Sequence, residues 1–369
     1  MNITLSGFNG TQNIYKISWD NIKATNYADQ NYNVLLLQKS HACLLPENSS
    51  FELTDEEYNF LNSLGDDACI EINDNGKIAS VFGKEYDNTL YITDKCNSNC
   101  IMCPMAEPVR RDGHTVPFEI LKELIRYMPS GIEHLTITGG EPFYIREQLF
   151  DILKDLKDSN KVCSYLLLSN GRIFANKDYC LGFASVVPED FLVGIPLHGP
   201  NPGIHDAISQ SPGSFNQTVS GIHNLLATHK MSVEIRIVVN KINAPYLLDI
   251  ARLISDRFPR VDSVKIMGME MLGNAIVNSE QVWIPYENAF SKMKPAIDYL
   301  IERAIDVAIY NFPLCFIEKS YWNLCANSIT EYKIKYLDEC TNCCERSACG
   351  GIFTGTDKYL IGKVKPILQ

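Results

Sequence analysis

The sequence predicts an α/β protein: a partial (βα)6 TIM-like barrel with a small α+β domain before it and a cysteine-rich domain after it. Three observations predict this. From about residue 88, apolar strand-like runs alternate with amphipathic helix-like stretches. Before that point the runs are short and β-rich, with turn residues between them. After about residue 275 the alternation stops and cysteines accumulate. The boundaries follow as 1–86, 87–280 and 281–369.

Within 1–86, Tyr15–Trp19 and Val34–Leu37 read as strands. Thr54 with Glu57 three residues later is a capping box that opens a helix. Asp74-Asn75-Gly76 between Ile70–Ile72 and Ile78–Val81 reads as a hairpin turn. The barrel strands are Thr89–Thr93, His134–Thr138, Ser164–Leu168, Phe191–Leu197, Ser232–Val239 and Ser263–Met267. The helices between them are Ile120–Met128, Gln148–Leu156, Phe215–Ala227 and Tyr246–Ile254. Six strands suit an incomplete barrel or an open parallel sheet, since a full eight-fold barrel takes about 250 residues. In both, chemistry belongs at the carboxyl ends of the strands. A last helix, Tyr286–Ala304, and a strand, Val307–Tyr310, precede the cysteine-rich tail.

Charge and hydropathy narrow the class. A net charge of −11 argues against a nucleic-acid partner, because phosphate binding needs a Lys/Arg excess. No apolar run approaches the roughly 20 residues of a membrane span, and the N-terminus lacks a signal-peptide pattern, so a cytoplasmic protein with no membrane partner is expected. In that reducing compartment thirteen cysteines call for something other than disulfides. Cys43, Cys69, Cys163 and Cys180 stand alone and read as packing residues. The others cluster at short gaps, which points to metal.

Cys96, Cys100 and Cys103 have the spacing C-x3-C-x2-C, directly after the first barrel strand. Three thiolates can hold three irons of a [4Fe–4S] cube and leave the fourth open, as a catalytic site requires. Zinc with His114 as a fourth ligand, or three reduced cysteines, are the bland alternatives. This loop resembles the signature of the radical S-adenosylmethionine (SAM) superfamily, with Met102 where an aromatic residue is usual. The second strand ends in Gly139-Gly140-Glu141-Pro142, similar to the superfamily motif that holds the SAM ammonium. Ser169-Asn170-Gly171 resembles the Thr-Asn-Gly at the end of the third strand. Ile195–Pro200 resembles a stretch that peptide-modifying members write Ser-Leu-Asp-Gly, but with Pro196 and His198 in place of Ser and Asp. The resemblance implies that another side chain must then meet the SAM carboxylate, for which Arg236 is the candidate, with Asn240 for a ribose hydroxyl. His198 could be an acid, base or substrate contact; a structural histidine is slightly favoured.

Downstream, Cys340, Cys343 and Cys349 form C-x2-C-x5-C before two glycines, and Cys315 ends Phe312-Pro313-Leu314-Cys315. These four make a closed set for a second [4Fe–4S] cluster or for zinc, leaving Cys325 and Cys344 as spares. The tail is similar to the single-cluster auxiliary domains of the twitch and SPASM type. It ends Lys365-Pro366-Ile367-Leu368-Gln369, without the Gly-Gly that ends the molybdenum-cofactor precursor cyclase, so that assignment is disfavoured. The order of parts is most similar to a radical SAM maturase of the His-Xaa-Ser peptide systems. That resemblance implies a precursor peptide as substrate, an electron donor of flavodoxin or ferredoxin type, and a possible peptide- or leader-binding role for 1–86. The rival classes are a small-molecule radical SAM enzyme and a non-catalytic zinc or iron–sulfur protein.

Overall fold

The computed structural model describes residues 3–368. Two compact units share the chain. One runs to Ile92 and adds Thr115–Leu167 and Val186–Phe191; the other comprises Thr93–His114, Leu168–Ser185 and the chain from Leu192 onward.

In the first unit, β1 (Asn13–Ser18), β2 (Val34–Leu37), β3 (His41–Leu45), β4 (Ser49–Glu52), β5 (Cys69–Ile72) and β6 (Ile78–Phe82) form a sheet in the order β4-β3-β2-β1-β5-β6. β1 and β2 are parallel and the other pairs antiparallel. One face buries Tyr15, Ile17, Leu35, Leu44, Leu61 and Ile70. The predicted capping box is present: the Glu57 N–H donates to Thr54 Oγ1 (3.2 Å) and the Thr54 N–H to Glu57 Oε2 (2.8 Å). Glu57 also accepts the Ser6 N–H at 2.6 Å, and these bonds hold its carboxyl below the usual range against the opposing effect of burial. β3, β4 and the helix Asn21–Asp29 have no counterpart in the sequence-based expectation. That helix draws its start from the Asp20 side chain, which accepts the Lys23 N–H, and buries only Ala24.

The same unit continues with β7 (Asn88–Tyr91), β8 (Ile132–Thr138) and β9 (Val162–Leu168; Leu168 itself belongs to the second), each parallel to the next. The second unit carries β10 (Phe191–Pro196; Phe191 itself belongs to the first), β11 (Ser232–Val238), β12 (Ser263–Met267), β13 (Asp306–Tyr310) and β14 (Cys325–Ala326), again parallel throughout. The class is the expected one, α/β with the strand–helix alternation of a partial TIM-like barrel. Among the described residues, however, the two units together hold eight such parallel strands where six were expected. Tyr286–Glu302 is a buried crossover helix that returns the chain in parallel, so β13 pairs with β12 and extends the alternation. Several further helices were missed, the two longest of them between barrel strands. Lys177–Val186 carries a glycine and distributes its apolar residues around the cylinder. Pro202–Ser209 has Asn201 as N-cap and Pro202 at the first helical position, a signal that was there to be read. Cys69 and Cys180 are buried as expected and Cys43 is partly so, but Cys163 is exposed, because the strand's period of two turns it to the solvent side. Among the described residues, no helix is long and apolar enough to cross a membrane.

In the second unit the period of two sorts the sheet into two faces. Val193, Ile195, Val233, Ile235, Ile237, Val264, Ile266 and Ile309 are buried on one. On the other, register brings Pro196, Arg236 and Lys265 side by side, with Gly194 beside Glu234. The helix Ser214–Thr228 buries Phe215, Thr218, Val219, Ile222 and Leu225 along one stripe. Gly221 lies on that stripe, and a Cβ there would come 2.2 Å from the Gly171 carbonyl oxygen. Gly221→Ala should therefore cost about 1–3 kcal/mol by overpacking, measured as a lower urea midpoint at unchanged slope.

Candidate active site: the cysteine loop and its supports

The loop from Thr93 to His114 is closed at its base by three bonds. The Asp94 N–H donates to His114 O (2.8 Å), the His114 N–H to Asp94 Oδ2 (2.9 Å), and Thr93 Oγ1 to His114 O (3.2 Å). Inside it, Cys96, Cys100 and Cys103 are partly buried. The Ser98 N–H points at Cys96 Sγ (3.4 Å), and the Met105 N–H at the Cys103 sulfur. Arg110, 3% exposed, fills the loop. Its guanidinium donates to Met105 O (3.1 Å), Ser98 O (2.7 Å) and Asn99 Oδ1 (2.5 Å). Nothing in the sequence marked Arg110, because its partners, two backbone carbonyls and the Asn99 carboxamide, converge only when the loop closes.

Three other segments of the same unit hold the loop from outside. The Asn99 and Ile101 N–H groups donate to Ser209 O (3.1 Å) and Ile208 O (2.9 Å) at the end of the missed helix. Asn274 donates to Asn99 Oδ1 and Cys100 O, both at 3.1 Å, and Asn278 to Ile101 O at 3.0 Å. Arg172 donates to Asn97 O (2.8 Å) and Ser98 Oγ (3.0 Å). The predicted Asn170 joins it, its Nδ2 donating to Asn97 Oδ1 at 2.6 Å, while Ser169 Oγ accepts the Gly171 N–H at 3.1 Å.

Burial pushes the Cys100 thiol up to about 12, with Cys103 and Cys96 adding to it and Arg110 opposing. Burial also raises Cys103. Thiols so placed stay protonated until a bound cation reverses the balance. Three thiols within electrostatic reach of one another, each met by an N–H donor, fit an iron–sulfur centre.

The other predicted residues have definite surroundings. Glu141 is buried, and its Oε1 accepts the Phe143 N–H (3.2 Å), capping the turn Pro142–Ile145 that follows Gly139 and Gly140. Arg236 donates through Nε to Glu234 Oε1 (2.5 Å), and Lys265 Nζ stands 3.9 Å from the other Glu234 oxygen. Gly194 leaves room for this group, since a Cβ there would lie 3.1 Å from Arg236 Nε. Asn240 is fully buried. Its Oδ1 accepts the Ile242 and Asn243 N–H groups (3.0 and 3.2 Å) and its Nδ2 donates to Val238 O (3.1 Å). His198, 4% exposed, brings Nε2 to 4.0 Å from Cys100 Sγ, and its Nδ1 is buried without a partner. Burial holds its pKa well below the usual value, and holds His205 at about 4.

The second cysteine set is gathered elsewhere in this unit. Cys315, Cys340, Cys343 and Cys349 line one small cavity, together with Tyr336 and the segment Val364–Ile367. Backbone N–H groups of Lys365 and Ile367 point at the Cys315 and Cys343 sulfurs, the latter at 3.4 Å. Burial pushes Cys315 up to about 11, with Cys349 and Cys340 contributing. Cys344 is exposed, and Cys325 lies in β14 with its sulfur 3.7 Å from Tyr321 O; neither lines the cavity.

Residues 90–254 match the Radical SAM superfamily. A GTP 3',8-cyclase of Limosilactobacillus fermentum is 27% identical over 213 residues, 56% of this chain and 61% of that protein. The antilisterial bacteriocin subtilosin biosynthesis protein AlbA of Bacillus subtilis is 26% identical over 223 residues, 58% of this chain and 48% of AlbA. A crystal structure of Streptococcus suis SuiB bound to precursor peptide SuiA overlaps 65% of this chain and 52% of that one, at 14% identity and a TM-score of 0.49. The chain spans 61% or less of the length of each of these three. The three-cysteine loop, the motif residues in order and the parallel strand–helix alternation all lie inside or beside residues 90–254, the segment that matches the Radical SAM superfamily.

Proposed function

We propose that this chain is a radical SAM enzyme that modifies a ribosomally made peptide in the reducing cytoplasm. The observation that carries the first half is the braced cysteine loop, three thiols with N–H donors and one buried Arg110. A [4Fe–4S] cluster bound there would supply, with SAM, one-electron cleavage to methionine and a 5'-deoxyadenosyl radical able to take hydrogen from an unreactive carbon.

The protein's own residues position and insulate. Arg110 sets a fixed positive charge beside three anionic thiolates, which lowers the cost of assembling them. Arg236 engages Glu234 only through Nε, so its terminal nitrogens keep donors for the SAM carboxylate. Lys265, on the other Glu234 oxygen, keeps that carboxylate from claiming the whole guanidinium. Gly139, Gly140, Glu141 and Pro142 stay assigned to SAM on the strength of their motif, as do Ser169 and Asn170, and Asn240 stays the candidate for a ribose hydroxyl. Cys315, Cys340, Cys343 and Cys349 would hold a second [4Fe–4S] cluster as a one-electron acceptor, with a flavodoxin- or ferredoxin-type donor feeding the first.

Support for a peptide substrate is the order of parts, from Cys96 through Pro313-Leu314-Cys315 to Cys349-Gly350-Gly351, and the likeness to a bacteriocin biosynthesis protein. The sheet of residues 13–82 carries no chemistry motif, and its edge strands β4 and β6 could pair with an extended leader. A small-molecule substrate is the second reading, favoured by the likeness to GTP 3',8-cyclase. Measuring 5'-deoxyadenosine with and without candidate precursor peptides separates the two. Peptide-dependent product with a mass change on the peptide is expected, and turnover of GTP alone would decide for the second reading.

Changing Cys96, Cys100 and Cys103 together to Ala should halve the iron and sulfide of the anaerobically reconstituted protein and abolish 5'-deoxyadenosine formation; surviving cleavage would refute the assignment. The Cys340→Ala/Cys343→Ala variant should also lose about half the iron, given two equal clusters. It should still cleave SAM slowly while failing to complete product. Stoichiometric zinc in the purified wild type would redraw this second site.

A further inference from the structure

We propose that His198 is a positioning residue for the three-cysteine site: its Nε2–H donates to the Cys100 sulfur and raises the potential at which a cluster bound there accepts an electron. The inference rests on the iron–sulfur reading of Cys96, Cys100 and Cys103.

The geometry is specific. His198 follows Pro196 and Leu197 at the end of β10, buried, with Nε2 4.0 Å from Cys100 Sγ. Its ring cannot easily turn away. The His198 N–H donates to His205 Nδ1 at 3.2 Å, the two rings lie 5.1 Å apart, and His205 packs edge-on against Phe215 at 5.8 Å.

The position of the hydrogen follows from what surrounds each nitrogen. Nδ1 is buried with no partner. A proton placed there alone would strand a donor and turn the Nε2 lone pair toward the lone pairs of a sulfur, which is doubly unfavourable. A proton on Nε2 gives the donor a sulfur and leaves only an acceptor lone pair unpaired. An imidazolium would donate from Nε2 as well, so the assignment does not depend on the ring's charge. Ligation turns Cys100 into a thiolate, a far better acceptor than a thiol, and the N–H···S contact becomes charge-assisted.

Hydrogen bonds to ligating sulfurs are one of the settings of an iron–sulfur potential, because withdrawing charge from sulfur favours the reduced centre. Cys96 and Cys103 receive backbone donors, from Ser98 and Met105. Cys100 has its own backbone N–H and, in addition, a side-chain donor. His198 stands where the peptide-modifying members resembled by this stretch carry Asp, and an ionised carboxylate has no hydrogen to give.

The test is an EPR-monitored redox titration of the full-length, anaerobically reconstituted protein, following the signal that changes on adding SAM. His198→Leu removes the donor and should move the midpoint to more negative potential. His198→Gln, which can place an amide N–H near the same point, should restore it toward the wild-type value. An unshifted midpoint in a His198→Leu protein that holds its cluster overturns the proposal while leaving the iron–sulfur reading intact. No SAM-sensitive signal in the wild type overturns both. Should His198→Leu fail to fold, pulsed EPR of the wild type with 15N-labelled histidine decides: coupling of a histidine nitrogen to the reduced cluster is expected, and its absence refutes the contact.

Discussion

The cysteine loop depends on a cation buried inside it. Taking a guanidinium out of water is expensive unless its donors are met. Arg110 meets the condition with two backbone carbonyls and one carboxamide, all from within ten or so residues of chain. Those bonds fix the path between Cys96 and Cys103, and the charge they enclose faces the same thiols. One residue thereby answers two problems, the unsatisfied carbonyls of an irregular loop and the mutual repulsion of three developing thiolates. Without that cation, the loop would have to open its carbonyls to water or keep its sulfurs protonated.

The remaining supports extend the same logic outward. Asn274 and Asn278 satisfy loop carbonyls from one direction, Arg172 and Asn170 from another, and the end of Pro202–Ser209 receives two loop amides. The sheet beneath supplies its own charged group. Because alternate residues face opposite sides, a strand such as Ser232–Val238 can bury Val233, Ile235 and Ile237 on one face and present Glu234 and Arg236 on the other. Glu234 would be costly alone; Arg236 and Lys265 offset it and leave one excess positive charge on that face.

The two cysteine sets differ in how they are enclosed. The first has three thiols and a fourth neighbour, His198, that can touch sulfur without being a fourth sulfur. The second has four thiols around one cavity, with backbone N–H groups of Lys365 and Ile367 covering it. An open set suits a centre that must bind a ligand, and a closed set suits one that only passes electrons.

By itself the sequence determined the six strands and most of the helices between residues 88 and 267, the Thr54–Glu57 capping box and the order of the cysteine motifs, because these depend on periodicity and spacing along the chain. It also carried an unread signal, Asn201-Pro202, for the helix that supports the loop. Only the tertiary structure decided that Arg110 lies inside the loop, that Glu234 and Lys265 flank Arg236, that Asn240 caps its own turn, and that Cys325 and Cys344 stay outside the second cavity. It likewise added β13 and β14 to the parallel strand series, where composition had suggested a separate tail. The reason is physical: such choices are made by groups distant in sequence competing for the same buried donor, acceptor or charge, and that competition is settled only when the chain is packed.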